Sequence, residues 1–124
     1  MEITPEIPGD RQVIESYGED RFRISGAAHA GSVLVFPDRT ISWTVSAMAD
    51  LSFDALAPVI AAEPAVEILL IGCGTRLTPI SGTLRAALRE HGIGCDPMDT
   101  GAACRTFNVL LAESRRVAAA LIAL

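Results

Sequence analysis

Apolar and polar residues follow two different periods along this chain, and the change falls near residue 50. In the first half, apolar positions recur at every second residue or in short runs; Ile41, Trp43 and Val45, for example, alternate with polar neighbours. This period of two predicts strands with one buried face. The predicted strands are residues 13–17, 22–24, 32–36 and 40–45. Gly18-Glu19-Asp20 predicts a hairpin between the first two, and Gly26 and Gly31 bound a connection that contains His29.

In the second half, helical spacing alternates with short apolar runs. The spacing predicts a helix from Ser52 or Asp54 to a point before Pro64, a helix over 80–91 that Gly92 ends, and a long helix over 100–124 capped by Thr100. The runs 66–71 and 93–98 predict strands between these helices. An α, β, α, β, α order favours parallel strands joined by right-handed crossovers.

These patterns predict an α/β fold with a β-rich N-terminal half, which adds strands to the same sheet, and an αβαβα C-terminal half. Residues 1–11, with Pro5, Pro8 and Gly9, are expected to form an irregular lead-in, and residues 12–124 a single α/β domain. The length of 124 residues suits one domain with a substantial core.

Composition excludes several functional classes. The net charge of −5 argues against nucleic-acid binding, which favours a basic surface. All ten basic residues are arginine, so no lysine is present for Schiff-base chemistry or a P-loop. Three cysteines without paired spacing fit a reducing cytosol better than a disulfide framework. Apolar runs are too short to cross a bilayer, so a soluble, cytoplasmic protein is expected. No cofactor is predicted.

The loop 72–76 is the first candidate site, because Gly72 and Gly74 end a buried strand in front of a helix. Its backbone N–H groups and Arg76 are placed to hold an anion. The third glycine of the dinucleotide fingerprint and the lysine of a P-loop are both missing. The pattern favours the alternative, a tight strand-to-helix turn that uses glycine for geometry alone, and leaves the ligand loop as the second explanation.

A nucleophilic or metal site has little support in the sequence. Cys73 and Cys104 lie near the starts of helices, but a catalytic thiol needs a base. The two histidines, His29 and His91, have no local partner. Buried structural cysteines and no metal are therefore predicted.

The C-terminal helix carries the second candidate site. Arg105, Asn108 and Arg115 fall on roughly one side of it, and Glu113 stands three residues before Arg116, a spacing that allows an ion pair. Both a solvated polar stripe and a binding surface fit this pattern.

Five blocks of the chain resemble one known family over residues 13–122. The blocks are Ile14-Glu15-Ser16-Tyr17-Gly18, Phe22-Arg23-Ile24-Ser25-Gly26, Gly31-Ser32-Val33-Leu34-Val35, Leu70-Ile71-Gly72-Cys73-Gly74, and residues 100–121 with Thr100-Gly101-Ala102-Ala103-Cys104 and Glu113-Ser114-Arg115-Arg116. The family is that of small archaeal and bacterial domains related to the third assembly factor of mitochondrial NADH dehydrogenase (complex I).

The resemblance implies a three-layer α/β domain with a mixed central sheet, no established catalytic activity, and work through protein partners in complex I assembly near the inner membrane. The motif positions carried onto this chain are Gly72, Gly74, Thr100, Cys104, Asn108, Glu113 and Arg115. Cys73 stands where the family usually has threonine, and Ser114 where it usually has glycine, a change expected to narrow a close helix contact.

Three functional hypotheses follow. The first is a non-enzymatic assembly or adaptor protein whose partner is a complex I subunit or another assembly factor, with peripheral contact to the inner membrane. The alternative is a small anionic-ligand binder or cryptic enzyme that uses the loop 72–76 with Thr100, Arg105 and Asn108. The third is a structural module whose polar stripe pairs with itself in a dimer.

Overall fold

The computed structural model describes residues 11–124, in which eight strands form two sheets. The strands are β1 (Ile14–Gly18), β2 (Arg21–Ile24), β3 (Ala27–Ala30), β4 (Val33–Val35), β5 (Thr40–Ser42), β6 (Ile68–Gly72), β7 (Gly94–Met98) and β8 (Val117–Leu121). The helices are α1 (Ala57–Ile60), α2 (Gly82–Glu90) and α3 (Thr100–Ala112), with 3-10 turns at Met48–Asp50 and Asp54–Leu56.

The larger sheet is mixed, as expected. Its strand order is β5-β4-β8-β6-β7, with β6 parallel to β7 and β8, and β4 antiparallel to β5 and β8. The smaller sheet is antiparallel in the order β1-β2-β3. The prediction that the first half adds all its strands to one sheet is therefore wrong for β1 to β3. Their buried side chains Ile14, Phe22 and Ile24 pack in the same cluster as α3, so these strands cover that helix layer instead of extending the central sheet.

Alternate side chains of the central strands enter two separate cores, one on each face of the five-stranded sheet. Leu69 of β6 packs with Leu84 and Leu88 of α2, whereas its neighbour Leu70 packs with Phe107 of α3. All of these but Leu84 are essentially inaccessible to solvent. A sheet covered on both faces needs apolar residues at every position, which explains the continuous run in β6. The three-layer α/β class is thus confirmed.

Two-residue turns build the small sheet, and the predicted hairpin is confirmed. Glu19 and Asp20 adopt φ values of 52° and 62°, and Ser25 and Gly26 adopt 47° and 83°. Left-handed conformations at both central positions are those of type I′ turns, whose twist matches paired strands. The second turn places His29 in strand β3, opposite Phe22, and not in a connecting loop as expected.

The predicted helix over 100–124 is wrong in its second half, because α3 ends at Ala112 and the chain continues as β8. Glu113 is the C-cap and Ser114 adopts φ 61°. The Ser114 N–H donates to Leu111 O at 2.9 Å and the Arg115 N–H to Leu110 O at 3.0 Å. This pair of bonds is a Schellman motif, which stops the helix by satisfying its last carbonyls.

Strand β8 lies between β4 and β6, and each of its five residues is buried. Its three alanines have high helix propensity, but such propensity amounts to well under 1 kcal/mol per residue. Backbone pairing on both edges outweighs it here, so tertiary context decides the conformation. The αβαβα half therefore carries one further strand than its sequence pattern predicted.

The other elements follow their predicted places with shorter bounds. Ser81 caps α2, its Oγ accepting from the Leu84 N–H at 3.1 Å, and Gly92 follows the helix with φ 76°. The helix expected before Pro64 is reduced to the 3-10 turn Asp54–Leu56 and the single turn of α1. Within residues 11–124 no helix is long and apolar enough to cross a membrane. The lead-in over residues 1–11 lies almost wholly outside the described residues, and the single-domain organisation stays a prediction.

Candidate functional site

Thr100 connects three segments at the carboxyl ends of β6 and β8. Its side chain is fully buried. The hydroxyl donates to the Ile122 carbonyl at 2.8 Å and accepts from the Gly74 N–H at 2.9 Å, while the Thr100 N–H donates to Gly74 O at 2.9 Å. The expected N-cap role belongs instead to Asp99, whose Oδ1 accepts from the Ala102 N–H at 2.9 Å. Thr100 is therefore the first helical residue and the centre of a buried polar junction.

The two glycines of the loop 72–76 exclude a side chain for different structural reasons. A Cβ on Gly72 would lie 3.0 Å from the Thr100 Cα and Oγ1 and from Leu121 Cδ2, which is tighter than packed atoms normally approach. Gly74 adopts φ 98°, a backbone conformation that side-chain-bearing residues avoid. Both glycines thus permit the close approach of strand β6 to the start of α3.

Two of the amides that an anion would need are already used inside the fold. The Cys73 N–H donates to Met98 O at 2.8 Å, and the Gly74 N–H donates to Thr100. Arg76 lies farther along the loop and is exposed. The geometry therefore favours a strand-to-helix turn over a preformed anion cradle.

Asn108 bonds to the backbone of the small sheet through both ends of its amide. Oδ1 accepts from the Ile14 N–H at 3.0 Å, and Nδ2 donates to the Ile14 carbonyl at 2.8 Å. The register of β1 against β2 shifts between Ile14 and Ser16, at the residue that Asn108 holds. The Asn108 side chain thus satisfies the backbone of β1 at its bulge and attaches α3 to the small sheet.

Arg105 also turns toward the small sheet, where its Nη1 donates to the Tyr17 hydroxyl at 3.1 Å. The Tyr17 ring covers Gly101, and a Cβ there would lie 2.5 Å from the hydroxyl oxygen. Tyr17 remains 40% exposed, so this contact forms a surface of α3 and β1 that other molecules can reach.

The cysteines show none of the features of a reactive thiol. All three are reduced and buried. Burial raises the pKa of the Cys104 thiol to about 12, and that of Cys95 to about 11. Within residues 11–124, no group of three histidine, cysteine or acidic residues is placed to hold a metal ion. The histidines lie elsewhere, His91 at the end of α2 beside Phe53 and His29 in β3.

The far end of α3 contains a second polar group, centred on Glu67. Its Oε1 accepts from Arg115 Nε at 3.2 Å, and its Oε2 lies 3.8 Å from Arg116 Nη2. The hydrogen bond from Arg115 is the main reason that the pKa of Glu67 is lowered. The helical spacing allowed an ion pair between Arg116 and Glu113. Arg116 instead pairs with Glu67, because the helix ends before Arg116.

The predicted binding residues accordingly divide between the two ends of α3. Gly72, Gly74, Arg76 and Thr100 lie at the carboxyl ends of the parallel strands, and Glu113 and Arg115 near their amino ends. A helix of 13 residues is about 20 Å long, so the two groups cannot contact one small ligand. Cys104, buried, and Asn108 lie between them and bond or pack within the fold.

A cavity that the sequence did not indicate adjoins the second group. It has a volume of about 250 Å³, and Ser114, Arg115, Arg116 and Val117 form one side. The turn after β4, with Phe36 and Arg39, residues of the segment 62–66, and Arg11 form the rest. These segments are distant in sequence, and no local motif marks them.

The structure is a three-layer α/β fold in which the side chains of Thr100 and Asn108 bond to the backbone of other segments. The chain belongs to the family described as protein of unknown function (DUF498/DUF598), whose model matches residues 14–122. The resemblance seen in the sequence is thereby confirmed.

Named relatives and a solved structure agree with this assignment. An uncharacterised protein of Rhodobacter capsulatus is 38% identical over 109 residues, covering 88% of this chain and 82% of that protein. NADH dehydrogenase [ubiquinone] 1 alpha subcomplex assembly factor 3 of Danio rerio is 36% identical over 110 residues. The match covers 89% of this chain but only 63% of the zebrafish protein.

A Bartonella henselae structure, described as that of an outer membrane protein, superimposes with a TM-score of 0.80 at 39% identity and covers 93% of this chain and 97% of that one. The fold is therefore shared at nearly full length.

Proposed function

We propose that this chain is a non-enzymatic assembly or adaptor protein that acts through protein partners in the assembly of respiratory complex I. The observation that carries the proposal is the match to assembly factor 3, which runs through 89% of the chain at 36% identity. The family model matches residues 14–122, a range that includes both sheets and α3. The partner is a complex I subunit or another assembly factor, and the place of action is the cytoplasmic side of the inner membrane.

The chemistry of the described residues supports a role without catalysis. The most buried cysteine, Cys104, has a pKa of about 12, far above neutrality, because of burial. Thr100, the one fully buried hydroxyl of the junction, donates and accepts within the fold. Covalent catalysis uses an activated nucleophile, and catalytic acids and bases often combine a shifted pKa with a position in a cleft.

The alternative hypothesis of an anion site at the loop 72–76 has less support, because two of its amides bind Met98 and Thr100. A thermal-shift screen with phosphate and nucleotides tests it directly. Binding to the folded state raises the melting temperature, so an upward shift that Arg76→Ala abolishes would revive this hypothesis.

Affinity purification from the native organism tests the proposed function. A tagged chain should co-purify complex I subunits or a second assembly factor, and the same tag on an unrelated domain should not. A deletion strain should lose assembled complex I on blue-native gels, and the wild-type gene should restore it. Normal complex I in the deletion strain would refute the role.

A further inference from the structure

The cavity at the amino ends of β6 and β8 combines an apolar floor with an arginine rim. Phe36, Val66 and Val117 are almost completely buried and provide apolar lining. The rim carries four of the chain's ten arginines, which are Arg11, Arg39, Arg115 and Arg116. On a chain with a net charge of −5, this grouping makes the cavity a local positive site.

Contacts within the fold hold three of these arginines in place. Arg39 donates to Asp38 at 3.1 Å, and its guanidinium lies 4.1 Å from the centre of the Phe36 ring. Arg115 donates to Glu67 at 3.2 Å, and the Arg116 guanidinium forms a looser ion pair with the same carboxylate at 3.8 Å. Guanidinium groups fixed in this way retain further N–H donors for a second carboxylate.

The fourth arginine, Arg11, is half-buried, and among residues 11–124 it has no ion-pair partner. Against the four positive charges, the lining residues in the described range 11–124 include two acids, Asp38 and Glu63, and Glu67 lies beside Arg115 and Arg116. An acidic ligand would therefore meet a net attraction at the rim.

The size of the cavity selects the kind of ligand. Pockets for drug-sized molecules and cofactors usually measure about 300–1,000 Å³, and this one holds about 250 Å³. It is large enough for one apolar side chain, the usual anchor of a protein interface. The rim lies outside that space, where residues flanking such an anchor would pass.

We propose that this cavity receives an acidic segment of a partner protein, with an apolar side chain on the floor and flanking carboxylates on Arg11 and Arg39. The inference rests on the proposed function and specifies its partner chemistry. It also gives the Arg115-Arg116 pair a role, since Glu67 positions both for the same segment.

Fluorescence anisotropy with short labelled peptides tests the proposal on the full chain. The probe is Asp-Glu-Phe-Glu-Asp, and its controls are the same peptide with central Ala and a Lys-Lys-Phe-Lys-Lys peptide. We expect the acidic Phe peptide to bind most tightly and to weaken as salt rises from about 0.1 M to 1 M, where the screening length falls from roughly 10 Å to 3 Å. Equal binding of the lysine peptide, or no binding of the acidic one, would overturn the proposal.

Two variants separate charge from shape. Reversing both rim charges with R11E/R39E should weaken binding of the acidic peptide about tenfold or more, because the change removes two attractive pairs and adds repulsion. Ala62→Met narrows the cavity without changing charge and should remove the preference for Phe over Ala. Arg21→Glu is the matched control, because Arg21 is exposed beyond the carboxyl end of β8. Melting curves of all variants ensure that only folded protein is compared.

Other occupants give distinct results. If the peptide binds only when Glu2, Glu6 and Asp10 are neutralised, the chain's own acidic segment competes for the cavity, and the partner proposal fails. If light scattering shows a dimer that the peptide dissociates, a second copy is the occupant, and it fails as well.

Co-purification with the R11E/R39E variant separates this inference from the proposed function. If the wild-type chain and the variant capture complex I components equally well, the proposal that the cavity binds the partner is refuted, while the assembly role stands. A wild type that captures none refutes the assembly role, and the peptide measurement then judges the cavity by itself.

Discussion

Replacing Thr100 with valine tests whether the buried junction depends on one hydroxyl. Valine has nearly the same shape, so the change removes the bonds to the Gly74 N–H and the Ile122 carbonyl with little loss of volume. A buried polar group left without a partner costs about 1–3 kcal/mol. Because the Ile122 bond is fully buried and the Gly74 bond only partly so, we expect the free energy of unfolding to fall by about 2–4 kcal/mol.

Thr100→Ser is the matched control, since it keeps the hydroxyl and loses only a buried methyl group, at about 1 kcal/mol. Urea unfolding followed by circular dichroism gives both values from the midpoints, provided that the slope is unchanged. For a chain of this length, Thr100→Val should also lower Tm by about 8–15 °C. A valine variant within about 0.5 kcal/mol of wild type, or a serine variant as damaging as valine, would refute the role of the hydroxyl.

Three further predictions concern other parts of the fold. Ser114→Gly should raise the free energy of unfolding by about 0.5–1 kcal/mol in urea, because φ 61° strains serine and not glycine; an unchanged or lower value would contradict this. Cys95 and Cys104 should resist a thiol reagent at about pH 8 until the chain unfolds. Since burial raises the pKa of Cys104 from 9.0 to about 12, its contribution to stability should be complete below pH 9.0 and lost as pH rises toward 12; rapid labelling of native protein would refute both statements. Because the bond from Arg115 lowers the pKa of Glu67 below 4.5, the stability from this group should be present above pH 4.5 and decline as pH falls through the lowered value. Glu67→Gln should remove that part of the acid decline in Tm, and an identical decline in both proteins would contradict the pairing.

Most elements could be predicted because the apolar pattern and the cap residues that define them lie within the element's own sequence. Strand β6 is covered on both faces and reads as a continuous apolar run, and α2 has a serine cap and a terminal glycine. The end of α3 was missed because its local sequence lacks the usual stop signal. Its stop signal is a left-handed Ser114, and serine in that position does not look like the glycine that usually marks a Schellman motif. In this chain, position 114 belongs to the turn that ends α3, and not to the close helix contact that the sequence suggested.

The candidate site was predicted only in part, since helical spacing placed Arg105, Asn108 and Arg115 on one side of one helix. In the structure, Asn108 binds Ile14, Arg105 binds Tyr17, and Arg115 lies beyond the helix end. The partner of Arg115 is Glu67, and all three side chains thus bind residues at least 48 positions away in the chain. Spacing within a segment carries no information about such partners.

The sequence by itself determined the α/β class, the hairpin of the first half and the family, because alternation, turn residues and motif blocks are local properties. Tertiary structure decided that residues 117–121 are a central strand, since pairing with β4 and β6 overrides the helix propensity of alanine. It also decided which polar residues serve the fold and which face solvent. Thr100 and Asn108 are engaged with distant backbone, whereas four arginines from three separate segments meet around one cavity, because only the packed layers bring those segments together.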